Sequence, residues 1–459
     1  MKIIPSVLDV ELNKSIISLL DGRFDRIHID VMDGTFTKTK SKYNPKNVKR
    51  IKTDLIKDVH LMVNNPEKYI IPFKKAGAKI INFHIEVGNT DEIISLIKNN
   101  GMRVSLVLNP GTPISKIRPY LHKIDEVLVM GVHPGKCGQA FIGSTSRKIS
   151  RIRKLREDII IKVDGGINNY TLNKVKGCDY VVSGSYLFKD PNVLKSLAFL
   201  DKEAMARRLR ESVLKMLIAA KSGHPAGSLG MADVFVELFC DMKYDPLNPS
   251  WKGRDYLVLS NGHICPILYS AMANFGFFSL KELLTLRKFG SRLQGHPHRE
   301  SLPGLETTSG PLGSGLSEAA GMALGLKIEN NSNKVFCVVS DGEQDEGNLW
   351  EGVMFASKYH LDNLVCIMDY NGIQLSGTTK EVMPLGNLRK KYKSFGWNVK
   401  VINGHNYSQI RRALNYKTKR PLMIIAKTIS GKGVYFMERK WEWHGKAPTE
   451  NALRVFENE

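Results

Sequence analysis

The chain has 459 residues, and at roughly 100–200 residues per domain this predicts two to four domains rather than one. Hydrophobic residues make up 42% and charged residues 24%, the balance of an ordinary globular protein, which excludes disorder and fibrous structure. Lys+Arg 67 against Asp+Glu 45 gives a formal charge of +22, so the surface gathers anions, and phosphorylated metabolites or nucleic acid both qualify as partners.

The basic residues are dispersed, with the densest run at Lys38, Lys40, Lys42, Lys46 and Lys49, and no zinc-finger or RNA-binding signature accompanies them. Anionic small molecules are therefore expected and nucleic acid is not. No stretch approaches the ~18 uninterrupted apolar residues of a membrane span, and Asp9 and Glu11 arrive too early for a signal-peptide core. The expectation is a soluble cytoplasmic protein without a membrane segment. The six cysteines, Cys137, Cys178, Cys240, Cys265, Cys337 and Cys366, lie far apart with no CxxC pair, which argues for a reducing compartment.

From the N-terminus, short apolar runs predict strands at 3–8, 27–32, 59–63, 79–86, 103–109, 126–132, 159–164 and 180–185. Helical patterns at 66–75, 90–98 and 146–157 alternate with them, so the strands should pair in parallel. Eight such units in about 190 residues suggest a compact (β/α)8 barrel, with a doubly wound open sheet as the alternative. Residues 190–221 read as a charged helical stretch joining two units. Beyond it, longer helices and Gly-rich loops separate strands predicted at 256–260, 335–340, 364–369, 399–402 and 422–427, which suggests an open parallel α/β sheet. The domains expected are 1–190, a linker at 191–201, and 202–459.

Side chains alternate along a strand, so His28 and Asp30 in IHIDVMDG share a face, which looks inward if the barrel forms. His60 ends the strand in DVHLM and Asp164 the strand in KVDGG. Two imidazoles and two carboxylates then converge where barrels carry their active sites, a donor set suited to zinc, iron or manganese. Asp341 in SDGE and Asn371 in DYNG likewise end strands, where open α/β sheets bind ligands. A magnesium or calcium ion could sit between them, with the Ile373 carbonyl and two phosphate oxygens completing the shell.

The motifs PSVLDVE, IHIDVMDG, DVHLMV, FHIE, LNPGTP, VLVMGVHPG, VDGGIN and VSGSYLF, in this order over 1–190, resemble ribulose-phosphate 3-epimerase. The resemblance implies a divalent metal on His28, Asp30, His60 and Asp164 that stabilises an enediolate, with Asp30 and Asp164 as the acid/base pair on opposite faces of the sugar. It also implies that Ser6 and His60 meet the substrate, and that backbone N–H groups around Gly165, Gly166, Gly184 and Ser185 hold its phosphate. Met32, Met62 and Met130 would crowd the enediolate. Two segments depart from the family pattern: the lid reads Pro134-Gly135-Lys136-Cys137-Gly138-Gln139, and the segment after MDG reads Thr35-Phe36-Thr37-Lys38-Thr39. Both leave open a related substrate such as allulose 6-phosphate.

From about 202 onward, SGHPAGSLGMADV, SNGHICPILYSA, LQGHPHR, TTSGPLGSGLSEAAGMALG, TISGKGV and WHGK resemble the thiamine diphosphate-binding half of transketolase. Carried over residue by residue, Asp341, Asn371 and Ile373 ligate the metal, while Gly310, Pro311, Leu312, Gly313, Gly342 and Glu343 line the cofactor. His224, His263, His296 and His444 surround the reacting carbon. Ala226 and His298 depart from the usual pattern without removing a catalytic group. The chain stops at Glu459, before the domain that supplies the activating glutamate in full-length transketolases. The resemblance therefore implies a C-terminal transketolase subunit on a separate chain, in a homo- or hetero-oligomer.

The expected protein is bifunctional. The barrel converts D-ribulose 5-phosphate to D-xylulose 5-phosphate, and the second half, with its partner, transfers two-carbon ketol units between sugar phosphates. The alternatives are an epimerase for a related ketose phosphate, or a barrel without catalysis serving as scaffold or sensor.

Overall fold

The computed structural model describes residues 1–8, 10, 14–189 and 192–458. The chain folds into two compact units, Met1–Leu200 and Asp201–Glu459. The expected boundary at 190/191 falls outside the described residues. The helix Val193–Leu200 belongs to the first unit, and Lys202–Ala220 begins the second. Asp201 caps the latter by accepting from the Ala204 N–H at 3.0 Å.

The first unit contains β1 (Lys2–Pro5), β2 (Arg26–Met32), β3 (Ile56–Met62), β4 (Ala78–His84), β5 (Arg103–Leu108), β6 (Glu126–Met130), β7 (Ile160–Asp164) and β8 (Tyr180–Ser183). Each of β2 to β8 pairs in parallel with its sequence neighbour, and β8 pairs with β1. The remaining edge is drawn together by a parallel bridge between Ser6 and His28, and the Val7 N–H donates to the His28 carbonyl at 3.2 Å. This makes a nearly closed eight-stranded parallel barrel and excludes the doubly wound alternative. Helices cover it through apolar stripes at helical spacing: Thr90–Asn99 buries Ile93, Ile94 and Ile97, and Ser144–Leu155 buries Ile149 and Ile152.

Inside the barrel, Ile4, Val107, Leu128, Met130, Val132 and Val182 form an apolar cluster. The rest of the interior is ionic. Lys162 is fully buried and its ammonium reaches Asp58 Oδ2 at 2.8 Å, Asn82 Oδ1 at 2.6 Å and Glu126 Oε2 at 2.9 Å. Arg26 pairs with Glu126 at 2.9 Å, and its guanidinium lies 4.0 Å from the Tyr180 ring centre. Such charges contribute little net stability, because desolvation offsets their attraction. Their value is positional: Asp58 precedes His60 by two residues and Lys162 precedes Asp164 by two, so the network underlies the residues at the barrel mouth.

The second unit holds a five-stranded parallel sheet of β9 (Tyr256–Leu259), β10 (Val335–Ser340), β11 (Leu364–Tyr370), β14 (Asn398–Asn403) and β15 (Leu422–Lys427), in the order β14-β15-β11-β10-β9. A small antiparallel hairpin, β12 (Ile373–Gln374) with β13 (Gly377–Thr378), follows β11. The central strands are buried throughout, as parallel strands covered by helices should be. Leu316, Ala319, Ala320 and Ala323 of helix Ser314–Ile328, with Leu349, Val353 and Ala356 of helix Gly347–Lys358, pack against them. Gly315 lets the first of these helices approach, since a Cβ there would stand 2.6 Å from the Ser260 Cα. Among the described residues, no helix is long and apolar enough to cross a membrane.

Candidate active sites

At the C-terminal mouth of the barrel, donor atoms of His28, Asp30, His60 and Asp164 lie within 4.8 Å of one another. In the β2–β3 register Asp30 stands beside His60, and His60 Nδ1 approaches Asp30 Oδ1 at 3.0 Å and Asp164 Oδ2 at 3.6 Å. His28 Nε2 lies 3.4 Å from Asp30 Oδ1 and 3.9 Å from Asp164 Oδ2. Neither ring nitrogen of the buried His28 has a hydrogen-bond partner among the described residues. Nε2, the nitrogen that faces both carboxylates, would be taken up by an ion between them, so the four residues fit a divalent metal.

The two carboxylates have opposite electrostatic surroundings. Burial works against ionisation of Asp30, but His28 and His60 outweigh it and hold the carboxyl far below its ordinary range. Burial, then the charge of Asp30, pushes Asp164 up to about 7. The two neighbouring carboxyls are thus pushed in opposite directions, a pattern that acid/base pairs share. Ser6 Oγ donates to Asp30 Oδ2 at 2.8 Å and aims its second oxygen.

A cavity of about 350 Å³ opens above these groups, with Ser6, Asp30, Met62, Met130 and Asp164 in its wall. Met32 faces an adjoining cavity instead. Gly165, Gly166, Gly184 and Ser185 line the main cavity. Gly165 (φ +97) and Gly166 (φ +72) occupy left-handed backbone, and a Cβ on Gly166 would stand 2.8 Å from the Phe141 backbone, so both positions call for glycine. Residues Pro134 to Gln139 also line the cavity. Gln139 closes the lid loop by donating to the carbonyls of His133 (2.6 Å) and Lys136 (2.9 Å). The two departing segments meet here, since a Cβ at Gly135 would stand 3.0 Å from the Thr37 Cβ. Cys137 on the lid is exposed, whereas the other five cysteines are buried.

In the second unit, Asp341 follows β10 and Asp369 and Asn371 lie at the end of β11. Asp341 accepts from the N–H groups of Gly342 (2.9 Å) and Gly372 (2.7 Å) and forms no ion pair among the described residues. Burial, then the nearby Asp369, pushes its carboxyl up to about 8, and burial raises Asp369 to about 6. Two buried carboxylates without a counter-ion among the described residues, with Asn371 bonded to Asp369 and Gly372 to Asp341, supply hard oxygens of the kind that fits magnesium. The Asn371 amide donates to Asp369 at 2.8 Å and its oxygen accepts from the Ile373 N–H at 3.0 Å, which orders the loop.

Gly310, Pro311, Leu312 and Gly313 lead into the N-terminus of helix Ser314–Ile328, and Gly313 takes φ +79. Glu343 is fully buried and does not face outward: it accepts from Gly313 N–H (2.9 Å), Ser260 Oγ and Ser340 N–H (2.7 Å), so it ties the loop to the strand ends. Gly342 adjoins Asp341 at the start of the same turn. The rings of His224, His263 and His444 form a triangle with centroids 5.2 to 5.7 Å apart. Burial, then the neighbouring imidazoles, lowers His224 to about 4 and His263 to about 3. Burial also lowers His296 and His444. Lowered in this way, the rings favour the neutral form, which offers one donor and one acceptor nitrogen each. His296 lies beside them, its Cδ2 3.2 Å from where a Gly262 Cβ would be.

Sequence reasoning did not single out Asp58, Lys162, His84, Glu86 or Asp369. Asp58 and Lys162 sit two residues before recognised site residues on the same strand face, and His84 and Glu86 lie within the FHIE motif, so spacing carried a signal for four of them.

The family model of the transketolase thiamine diphosphate-binding domain matches residues 201–458, and that of the ribulose-phosphate 3 epimerase family matches residues 2–188. The chain is 40% identical over 260 residues to a 6-deoxy-6-sulfo-D-fructose transketolase subunit of a Clostridium species, covering 56% of this chain and 94% of that protein. It is 39% identical over 251 residues to one of the apulose-4-phosphate transketolase subunits of Phocaeicola vulgatus, covering 54% of this chain and 89% of that one. Human transketolase is 39% identical over 248 residues, but only 40% of its length is spanned. The crystal structure of Campylobacter jejuni transketolase superposes with a TM-score of 0.53 at 33% identity, covering 55% of this chain and 42% of that one. The chain belongs to the transketolase thiamine diphosphate-binding family, matches the subunits of split transketolases, and carries a ribulose-phosphate 3-epimerase-like barrel ahead of that domain.

Proposed function

We propose that this chain is a bifunctional sugar-phosphate enzyme, a metal-dependent ketose-phosphate 3-epimerase fused to the thiamine diphosphate-binding subunit of a two-chain transketolase. The observation that carries the first activity is the pair Asp30 and Asp164 within one donor cluster at the barrel mouth. Inversion at C3 needs a proton removed from one face and returned to the other, and these two carboxylates are the carriers. A zinc, iron or manganese ion on the four ligands would neutralise the oxyanion that develops at C2. The glycine-rich amides of Gly165, Gly166 and Gly184, with Ser185, hold the phosphate, and the lid excludes water.

The sugar is a ketose phosphate related to D-ribulose 5-phosphate, with allulose 6-phosphate as an example, rather than that pentose alone. The departing lid and the Thr35–Thr39 segment, which touch at Gly135 and Thr37, support this. The relatives named for 6-deoxy-6-sulfo-D-fructose and apulose 4-phosphate are transketolase subunits, so they support an uncommon sugar at the second unit. In the second unit, Asp341, Asn371 and Ile373 would hold magnesium with the diphosphate of thiamine diphosphate against Gly310–Gly313, and ketol transfer requires the partner subunit.

The test assays the purified chain against a panel of ketose phosphates, with ketol transfer measured with and without the partner. A kcat/KM for ribulose 5-phosphate tenfold above every other sugar would return the pentose as substrate. No turnover of any sugar would favour a scaffold or sensor. Ketol transfer by the chain alone would overturn the two-chain reading.

A further inference from the structure

His60 faces two demands. Its Nδ1 is the nitrogen directed at Asp30 and Asp164, 3.0 and 3.6 Å away, so this is the nitrogen that would ligate an ion. A ligating imidazole nitrogen presents a lone pair, which leaves the ring proton on Nε2. The partner of Nε2 is His84 Nε2 at 3.0 Å. Two imidazole nitrogens form a hydrogen bond only when one is protonated and the other is not, so His84 must accept. The proton of His84 then sits on Nδ1, which has no hydrogen-bond partner among the described residues and whose nearest acceptor is Glu86 Oε2 at 3.4 Å. The other oxygen of Glu86 accepts from the Asn109 N–H at 3.1 Å and from Thr112 Oγ1. The Phe36 ring packs on His84 with centroids 4.5 Å apart.

We infer that His84 and Glu86 are positioning residues of the barrel's metal centre, forming a Glu86–His84–His60 relay that sets the His60 tautomer. The second histidine ligand is supported differently: His28 Nδ1 lies 3.8 Å from Asp58 Oδ2, which Lys162 anchors. A carboxylate thus stands behind each imidazole, Asp58 near His28 without a hydrogen bond and Glu86 behind His60 through another imidazole. Metal-binding histidines take such support commonly, and its loss costs roughly 10- to 100-fold in affinity.

This inference rests on the proposed metal-dependent barrel, and the experiment separates the two. Zinc affinity of the full chain is measured by competition with a chromophoric chelator, in excess magnesium, for the wild type, His84→Leu, His84→Gln and Glu86→Gln. His84→Leu should weaken binding about 10- to 100-fold. His84→Gln, whose amide oxygen can accept from His60 Nε2–H, should recover most of that loss. Glu86→Gln should lose less than His84→Leu, because the Glu86 side chain is 24% exposed and its charge is partly screened. If the leucine variant fails to fold, imidazole 15N spectra of the zinc-loaded wild type decide, with protons expected on His60 Nε2 and His84 Nδ1. Wild-type affinity in His84→Leu, or a proton on His84 Nε2 in that spectrum, overturns the relay. A wild type that binds no zinc overturns the metal-dependent barrel instead.

Discussion

Replacing Lys162 by methionine keeps the length of the side chain and removes its charge, and the consequence can be worked from its partners. Lys162 neutralises Asp58 and Glu126, all three fully buried. Breaking a buried ion pair by deleting one member costs about 3–5 kcal/mol, because the other charge is stranded. Glu126 retains Arg26 at 2.9 Å and Arg103 at 3.3 Å, so the uncompensated charge is Asp58, and the low end of the range, about 3 kcal/mol, applies. With a urea m-value of roughly 2 kcal/mol/M, the barrel midpoint should fall by about 1.5 M. The chain carries its own reporter, since Trp251, Trp350, Trp397, Trp441 and Trp443 all lie in the second unit and the barrel has none. Lys162→Met should therefore shift the part of the circular-dichroism transition to which tryptophan fluorescence is blind, leaving the fluorescence midpoint in place. A barrel midpoint within about 0.25 M of wild type, about 0.5 kcal/mol, would refute the view that this lysine balances a buried carboxylate.

Asp164→Asn should slow epimerisation by roughly 10²–10⁴-fold while Asp30 still exchanges the C3 proton of one epimer. Deuterium uptake followed by NMR should be lost from one epimer and kept for the other, and equal loss from both would count against two carriers. Gly313→Ala places a Cβ 2.3 Å from Asn348 Oδ1 at φ +79, so thiamine diphosphate affinity measured by calorimetry should fall at least tenfold, about 1.4 kcal/mol, with the circular-dichroism spectrum retained. His224 and His263, lowered to about 4 and about 3 in the fold, titrate near 6.5 when unfolded. Between those values the unfolded chain binds more protons, so stability rises with pH through this window and is lost as pH falls from about 6.5 toward 4. Asp341 and Asp369, raised to about 8 and about 6, act in the opposite sense, so the measurement is a difference: between pH 7.5 and pH 5 the fluorescence-detected urea midpoint of His263→Asn should lose less, or gain more, than that of the wild type.

The strands of both units were legible because parallel strands are buried on both faces and read as apolar runs. The barrel site was legible for a second reason: His28 and Asp30 lie two apart on one strand, so alternation alone puts them on one face. The ionic interior was not. Arg26 and Glu126 are 100 residues apart, and Lys162 and Asp58 are 104 apart. Each reads as a lone charge in an apolar run until the barrel brings the strands together. Glu343 shows the same limit in the second unit. Its motif marks a turn near a cofactor, but its bonds to Ser260 and Gly313 depend on segments far away in sequence.

The difference in exposure among the thiols has a practical consequence. With Cys137 outward and the other five sulfhydryls enclosed, a maleimide dye applied to the native chain should attach at one place, the loop that lines the barrel cavity. Its emission would then report occupancy of that cavity in real time, with no engineered attachment point.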